Sequence, residues 1–248
     1  MKKGFTLAEV LITLAIIGVV AALTIPALIT NYQEKSTVTK LTKAYSQVSN
    51  AYALAKVENG AISTWGFSEN SSVDTDEEGN NTYSENTILN AQIFWNNITK
   101  HMKVAKSSFN KPVDVTNKYL HGKEHSSPTR KKVSEIELID GTAFVSLWVN
   151  NYKCTGNKLC ADFSIDINGS NPPNTYGKDI FNFLVFENGI VPNGAQDVIN
   201  RSFETYCDIK SDINYNGYGC TAWVIYNKNM DYLHCDDLAW DGKHSCKD

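Results

Sequence analysis

The chain has 248 residues, with 23 lysines and arginines against 27 aspartates and glutamates, for a formal charge of −4. That length accommodates one membrane helix and one substantial soluble domain. The mildly acidic balance excludes general nucleic-acid binding as the soluble part's main task, and no specific nucleic acid is expected as a partner.

The N-terminus reads MKKGFTLAEV, and from Val10 to Ile29 twenty consecutive residues carry no formal charge; only Thr13 and Thr24 are polar. As a helix this run is about 30 Å long, the hydrocarbon thickness of a bilayer. Three fates compete for it. A cleaved signal peptide would have a shorter apolar core, although Ala21-Ala22-Leu23 imitates a cleavage box. A plain anchor explains the length but not Glu9, a carboxylate at membrane depth that costs a few kcal/mol and needs a partner. Packing against copies of itself supplies one. If the chain is cut before Phe5, the new α-amine lies one helical turn from Glu9, and amine and carboxylate of staggered neighbours neutralise one another.

Lys3-Gly4-Phe5-Thr6-Leu7-Ala8-Glu9 resembles the processing site of type IV pilins and type II secretion pseudopilins. The resemblance covers residues 1 to about 58. It implies that a prepilin peptidase cuts between Gly4 and Phe5, that Phe5 is N-methylated, and that Glu9 guides assembly through the N-terminus of an adjacent subunit. Gly18 and Pro26 fall where that family often carries helix-loosening residues. The partners implied are copies of the chain, other pilins or pseudopilins, and an inner-membrane assembly platform. The fold implied is α+β: a long spine helix packed on an antiparallel sheet. The segments follow as a leader over 1–4, an assembly helix over 5–30, its amphipathic continuation over 31–58 and an extracytoplasmic domain over 59–248. Removing Lys2 and Lys3 leaves 21 basic against 27 acidic groups, or −6, in the mature form.

Beyond Ile29 the apolar positions become periodic, through Tyr32, Val38, Leu41, Tyr45, Val48, Tyr52 and Ala55, one face of a helix. Asn59-Gly60 is a C-terminal stop, so one helix is expected from about Phe5 to Glu58. Pro26 removes a hydrogen bond and should kink or loosen it. Residues 61–87 read as an exposed polar loop; Asp74, Asp76, Glu77 and Glu78 lack the order of an EF-hand. Ile88, Leu89, Phe94, Trp95, Ile98, Met102 and Val104 give a second helix over 88–105. The stretch 106–132 is broken and polar. Its basic run, Arg130-Lys131-Lys132, reads as a solvated face, and His101, His121 and His125 show no ligand spacing.

Strand signals start at Val133. A hairpin turn at Asp140-Gly141 separates 135–139 from 142–149, and 161–167 and 180–186 follow. Between those two, Asp162 to Asp179 carries a DxNG…PNxxGxD pattern that resembles a stretch of pilin-like proteins with large C-terminal domains. There Asp166, Asn168 and Asp179 are either hard oxygen ligands for Ca²⁺ or Asx-turn residues serving their own backbone. Residues 201–216 are expected as loop or short helix, 220–226 as a strand, and 230–233 as a last short element.

Six cysteines, at 154, 160, 207, 220, 235 and 246, favour disulfides in an extracytoplasmic domain. Fifteen pairings exist; the nearest-neighbour scheme is preferred, with zinc bound by Cys235, Cys246, His234 and His244 as the rival. No Ser-His-Asp or Cys-His order, phosphate-cradling loop, HExxH or paired carboxylates stand out. The expected function is therefore assembly into a filament, with a minor tip subunit or binding module on the same anchor as the alternative and an enzyme the weakest reading. The subunit waits in the inner membrane, its lysines cytoplasmic and its domain outside, before it joins a filament.

Overall fold

The computed structural model describes residues 6–69, 71–79, 81–112, 116–125, 131–198 and 201–247. Its first element is a continuous helix, α1, Leu7–Asn59. Thr6 starts it with a capping box: its hydroxyl oxygen accepts the Glu9 N–H, while the Glu9 carboxylate accepts the Thr6 N–H at 2.8 Å. Gly60 ends it in a positive-φ conformation, its N–H donating to the Lys56 carbonyl at 3.0 Å. α1 runs through Pro26 without interruption.

Up to Tyr32 the helix touches little of the rest of the chain; from Val38 it buries a stripe through Leu41, Ala44, Val48, Ala51, Tyr52 and Ala55. The tyrosines of the spine reach the sheet. Tyr45 stacks on Phe183 at 5.3 Å and its hydroxyl donates to the Ile190 carbonyl. The Tyr52 hydroxyl donates to the Phe186 carbonyl at 2.8 Å. Tyr32, expected on the same stripe, is exposed, at the mouth of an open groove between the spine and the domain.

A small hairpin of β1 Val73–Thr75 with β2 Asn81–Tyr83 follows the spine and leads into α2, Glu85–Ile98. The main sheet has six antiparallel strands in sequential order: β3 Val104–Pro112, β4 Lys131–Leu138, β5 Ala143–Val149, β6 Leu159–Asp166, β7 Ile180–Phe186 and β8 Ile190–Pro192. One face packs on α1 and α2 through Ile136, Phe144, Phe163 and Phe183. Trp95 of α2 sits between Phe144 and Phe163, with centroids at 5.5 and 5.4 Å, and its indole N–H donates to the Ser134 hydroxyl at 3.0 Å. In β5 the register shifts between Val145 and Trp148, with Ser146 at φ 58°. This bulge brings Phe144 and Leu147, three residues apart, into the same core.

Several expectations need correction. The loop 61–87 is not featureless, since it contains a 3₁₀ turn, Ile62–Thr64, and the β1–β2 hairpin. α2 begins earlier than expected, where the Ser84 hydroxyl accepts the Thr87 N–H, and closes at Ile98 through a 3₁₀ turn. Met102 thus lies in a turn and Val104 opens β3. β3 itself carries no readable strand signal, because its only large apolar residues are Val104 and Phe109. It is an edge strand held by its ladder with β4, and Lys106 and Lys111 discourage further pairing along it.

The segment 220–226 is a helix, not a strand: it forms most of a helix over Cys220–Asn227. Residues Cys220 to Ile225 are all buried, and a short, fully buried apolar run carries no period that separates helix from strand. A shorter helix, α3 Phe203–Tyr206, precedes it, so Cys220–Asn227 is α4; a 3₁₀ turn, Asp231–Leu233, follows. The neighbouring edge, β8, is three residues long and ends in Pro192. α4 covers that edge instead of extending it, with the Ala222 N–H on the Asn193 carbonyl and the Thr221 hydroxyl accepting the Asn182 N–H.

Trp95→Ala should cost about 3–5 kcal/mol, the range for an aromatic core truncation, since it opens a cavity and removes one of the two N–H groups, with that of Leu147, that donate to the Ser134 hydroxyl. Urea denaturation of the full chain in detergent measures this; a loss under about 1 kcal/mol would refute the central role given to Trp95.

Candidate assembly face and the domain above it

Glu9 is the single carboxylate at the start of the apolar stretch, and among the described residues its carboxylate accepts from Thr6, through the backbone N–H and the hydroxyl, each at 2.8 Å. The capping-box spacing, Thr6 and Glu9, is legible in the sequence. Gly4 and Phe5 lie outside the described residues.

From Leu7 to Ile29 every large apolar side chain is exposed, from 42 % at Val10 to 78 % at Leu7. Each such side chain gains about 1.5–3 kcal/mol on leaving water, so this segment needs a bilayer or another protein surface around it. By length and composition α1 can cross a membrane. Around Pro26, where the chain lacks an N–H, Thr24 donates its hydroxyl to the Val20 carbonyl and Thr30 to the Pro26 carbonyl. A Cβ on Gly18 would meet nothing within 4 Å.

The β6–β7 connection gathers Asp166, Asn168 and Asp179. The Asp179 carboxylate accepts the N–H groups of Asn174 and Thr175 at 2.7 and 2.6 Å. Asp166 accepts the Asn168 N–H at 3.2 Å, and the Asn168 amide donates to the Pro172 carbonyl. These are the contacts of the turn-forming alternative. Among the described residues, no three His, Cys, Asp or Glu side chains are grouped to hold a metal ion. Gly177, at φ 80°, closes the loop where a Cβ would stand 3.0 Å from the Cys220 sulfur.

The cysteines pair as nearest neighbours: Cys154–Cys160, Cys207–Cys220 and Cys235–Cys246. This removes the zinc alternative, since both sulfurs are bonded and His234 instead faces Glu34 of the spine at 2.7 Å. His244 shares a hydrogen bond with the Trp240 carbonyl.

Sequence reasoning missed a cluster on the sheet face away from the spine, because its members are scattered. Tyr119, Tyr176 and Tyr218 surround His125, whose Nε2 shares a hydrogen bond with the Tyr218 hydroxyl at 3.0 Å. The Arg201 guanidinium stands over Tyr215 and Tyr218 at 4.3 and 4.9 Å. Burial, with a smaller contribution from Arg201, pulls the His125 pKa down to about 4, so the ring stays neutral between its aromatic neighbours.

Burial, aided by the neighbouring Asp179, raises the Asp166 pKa from 3.8 to about 8. A carboxyl whose folded pKa is raised contributes stability that is complete below pH 3.8 and lost as pH climbs through 8. His125, depressed in the fold, works oppositely: its contribution is present above pH 6.5 and falls away towards pH 4. Asp166→Asn keeps the oxygen that accepts the Asn168 N–H and removes the charge. It should flatten the alkaline side of the stability profile and stabilise the chain by roughly 1–3 kcal/mol at pH 8. Denaturation midpoints from pH 4 to 8 measure this, and added Ca²⁺ should not move the wild-type midpoint.

The prokaryotic N-terminal methylation motif matches residues 1–25, and a family of unknown function, DUF6613, matches residues 27–229. The chain is similar to fimbrial protein EcpC of Eikenella corrodens, 42 % identical over 65 residues, which are 26 % of this chain and 35 % of that protein. It is also similar to two fimbrial proteins of Pseudomonas aeruginosa, each 36 % identical over 88 residues, 36 % of this chain and 53 % of the relative. The chain thus spans about half the length, or less, of these relatives. No solved structure matches it. With fimbrial relatives over part of its length and the prokaryotic N-terminal methylation motif at the head of its long spine, the chain belongs to the family of unknown function DUF6613.

Proposed function

We propose that the chain is a structural subunit of a filament, a pilus or secretion-type pseudopilus, assembled through its spine and without catalytic activity. The observation that carries this reading is the division of α1: one uninterrupted helix has a fully exposed apolar half and a half built into the domain core. The fimbrial relatives favour a pilus over a pseudopilus.

A prepilin peptidase cuts between Gly4 and Phe5, and Phe5 becomes the methylated N-terminus. Until assembly the subunit is held in the inner membrane by Val10–Ile29, its domain outside. Glu9, satisfied by Thr6 in a single chain, exchanges those contacts for the amine of an adjacent subunit as an assembly platform lifts the spine out of the bilayer. A dehydrated amine–carboxylate pair lowers the cost of holding both charges among apolar helices.

A second reading, a minor tip subunit carrying a binding domain, is favoured by the extent of the fimbrial similarity. It spans 26–36 % of this chain, so most of the globular part is unlike those relatives. Stoichiometry separates the two, because a main subunit dominates sheared filaments and a tip subunit is rare in them.

Mass spectrometry of the N-terminus should find methylated Phe5 as the first residue, and Gly4→Leu should leave Met1 or Lys2 at the start. Glu9→Ala should leave processing intact and cut incorporation at least about tenfold, the factor produced by a loss of about 1.4 kcal/mol. Normal filament yield from Glu9→Ala would overturn the role given to that carboxylate.

A further inference from the structure

The turn between β7 and β8, Phe186 to Gly189, is where the domain half of the spine is fastened to the sheet. The Tyr52 hydroxyl donates to the Phe186 carbonyl at 2.8 Å, and the Lys56 ammonium donates to the carbonyls of Glu187 at 2.8 Å and Asn188 at 3.2 Å. Among the described residues Lys56 has no carboxylate within ion-pair distance. The Glu187 carboxylate is turned to the Gly156 N–H instead.

The chain holds five Asn-Gly pairs, at 59–60, 168–169, 188–189, 193–194 and 216–217. Glycine lacks the side chain that keeps a backbone nitrogen away from the preceding residue, so these pairs are the ones open to internal attack on the asparagine amide. Four have that amide held. Asn59 donates to the Ala55 carbonyl, Asn168 to the Pro172 carbonyl, Asn193 to the Asn182 Oδ1, and Asn216 to the Asp208 and Ser211 carbonyls. Asn193 and Asn216 are also fully buried. The Asn188 side chain is exposed and makes no hydrogen bond among the described residues.

We propose that Asn188 deamidates in the folded chain, that Lys56 of the spine promotes the reaction, and that the product gives Lys56 a counter-ion. The inference does not depend on the filament reading. The Lys56 ammonium sits on the carbonyl of the amide whose nitrogen, that of Gly189, is the nucleophile. A cation drawing electron density from that carbonyl makes the Gly189 N–H more acidic. The N–H is otherwise held only by the Phe186 carbonyl at 3.2 Å, the longer of the two hydrogen bonds that close the turn. Hydroxide removes the proton and the nitrogen attacks Asn188 Cγ. The bond from Cγ to the amide nitrogen breaks, and ammonia leaves with a proton from water. Water then opens the five-membered imide, at Cγ to give an aspartyl or at the main-chain carbonyl to give an isoaspartyl. One water is taken up and one ammonia lost; nothing is oxidised or reduced. Either product places a carboxylate beside Lys56, where a neutral amide stood.

The test incubates the folded full chain, in detergent, in mildly alkaline buffer made with heavy-oxygen water, and locates the label by peptide mass spectrometry. Residue 188 should take up label at least about tenfold faster than any other Asn-Gly pair. Lys56→Met should slow it at least about fivefold, while Lys56→Arg, which keeps the cation, should stay within about twofold of the unsubstituted chain. Gly189→Ala should fold normally, because a Cβ there meets nothing within 4 Å and Gly189 is not at positive φ, and should slow labelling at least about tenfold. Labelling that starts at another pair, that spreads evenly over the five, or that is indifferent to Lys56→Met would each overturn the proposal. An unlabelled residue 188 in the folded chain, when the urea-unfolded chain has labelled there, would do the same. If Lys56→Met loosens the fold, all five pairs label faster together. The rate at 188 relative to the other four, expected to fall at least about fivefold, then decides, and an unchanged ratio overturns the proposal.

Discussion

The structure depends on the unbroken register of α1. One rod of hydrogen-bonded backbone carries two incompatible surfaces, an apolar cylinder up to Ile29 and a single buried stripe from Val38. The first is unsatisfied in any single chain in water; the second is satisfied entirely within the chain. Because the helix does not break between them, movement of the lower half along its axis moves the domain with it.

The domain is built to withstand that coupling. Lys43 meets Asp140 at the tip of the β4–β5 hairpin, Lys56 donates to the Glu187 carbonyl, and the Tyr45 and Tyr52 hydroxyls reach carbonyls at the β7–β8 end of the sheet. Near its base the spine is met by His234, one residue before the Cys235–Cys246 bridge. The surface ion pairs contribute little individually; the buried aromatic contacts of Tyr45 and Tyr52 supply more, and the polar ends fix the register. Two of the disulfides tie down irregular segments around α4 and the C-terminal tail, and the third pins the β5–β6 connection.

The polar features of the domain are dominated by local backbone needs. Asp179 and Asp166 look like cation ligands in the sequence, yet their oxygens serve N–H groups of their own loop. The cost is a buried carboxyl, Asp166, whose burial, aided by the nearby Asp179, raises its pKa to about 8. The aromatic cluster around His125 and Arg201 likewise packs polar groups against rings, using ring faces for the guanidinium and holding the imidazole neutral, with Asp162 near the guanidinium.

Much of this is legible in the sequence where the signal is local. The capping box at Thr6, the apolar run, the stop at Gly60, the Asp140-Gly141 hairpin and the alternating strands β6 and β7 each depend on neighbours within a few residues. For the disulfides, the sequence supports a preference for nearest neighbours and no more, since spacing alone allows every pairing. Three things needed the assembled fold. β3 exists because β4 offers it a ladder, not because its own residues favour a strand. The run Cys220–Asn227 is helical because the sheet ends at Pro192 and needs a cover rather than another strand. The groove beside Tyr32 joins residues from the spine, from the β6–β7 loop and from the C-terminal segment, which no sequence window contains. Local chemistry determined where the spine begins, what it is made of and where it stops; only tertiary structure decided what lies against it, because burial depends on partners that are distant in the chain.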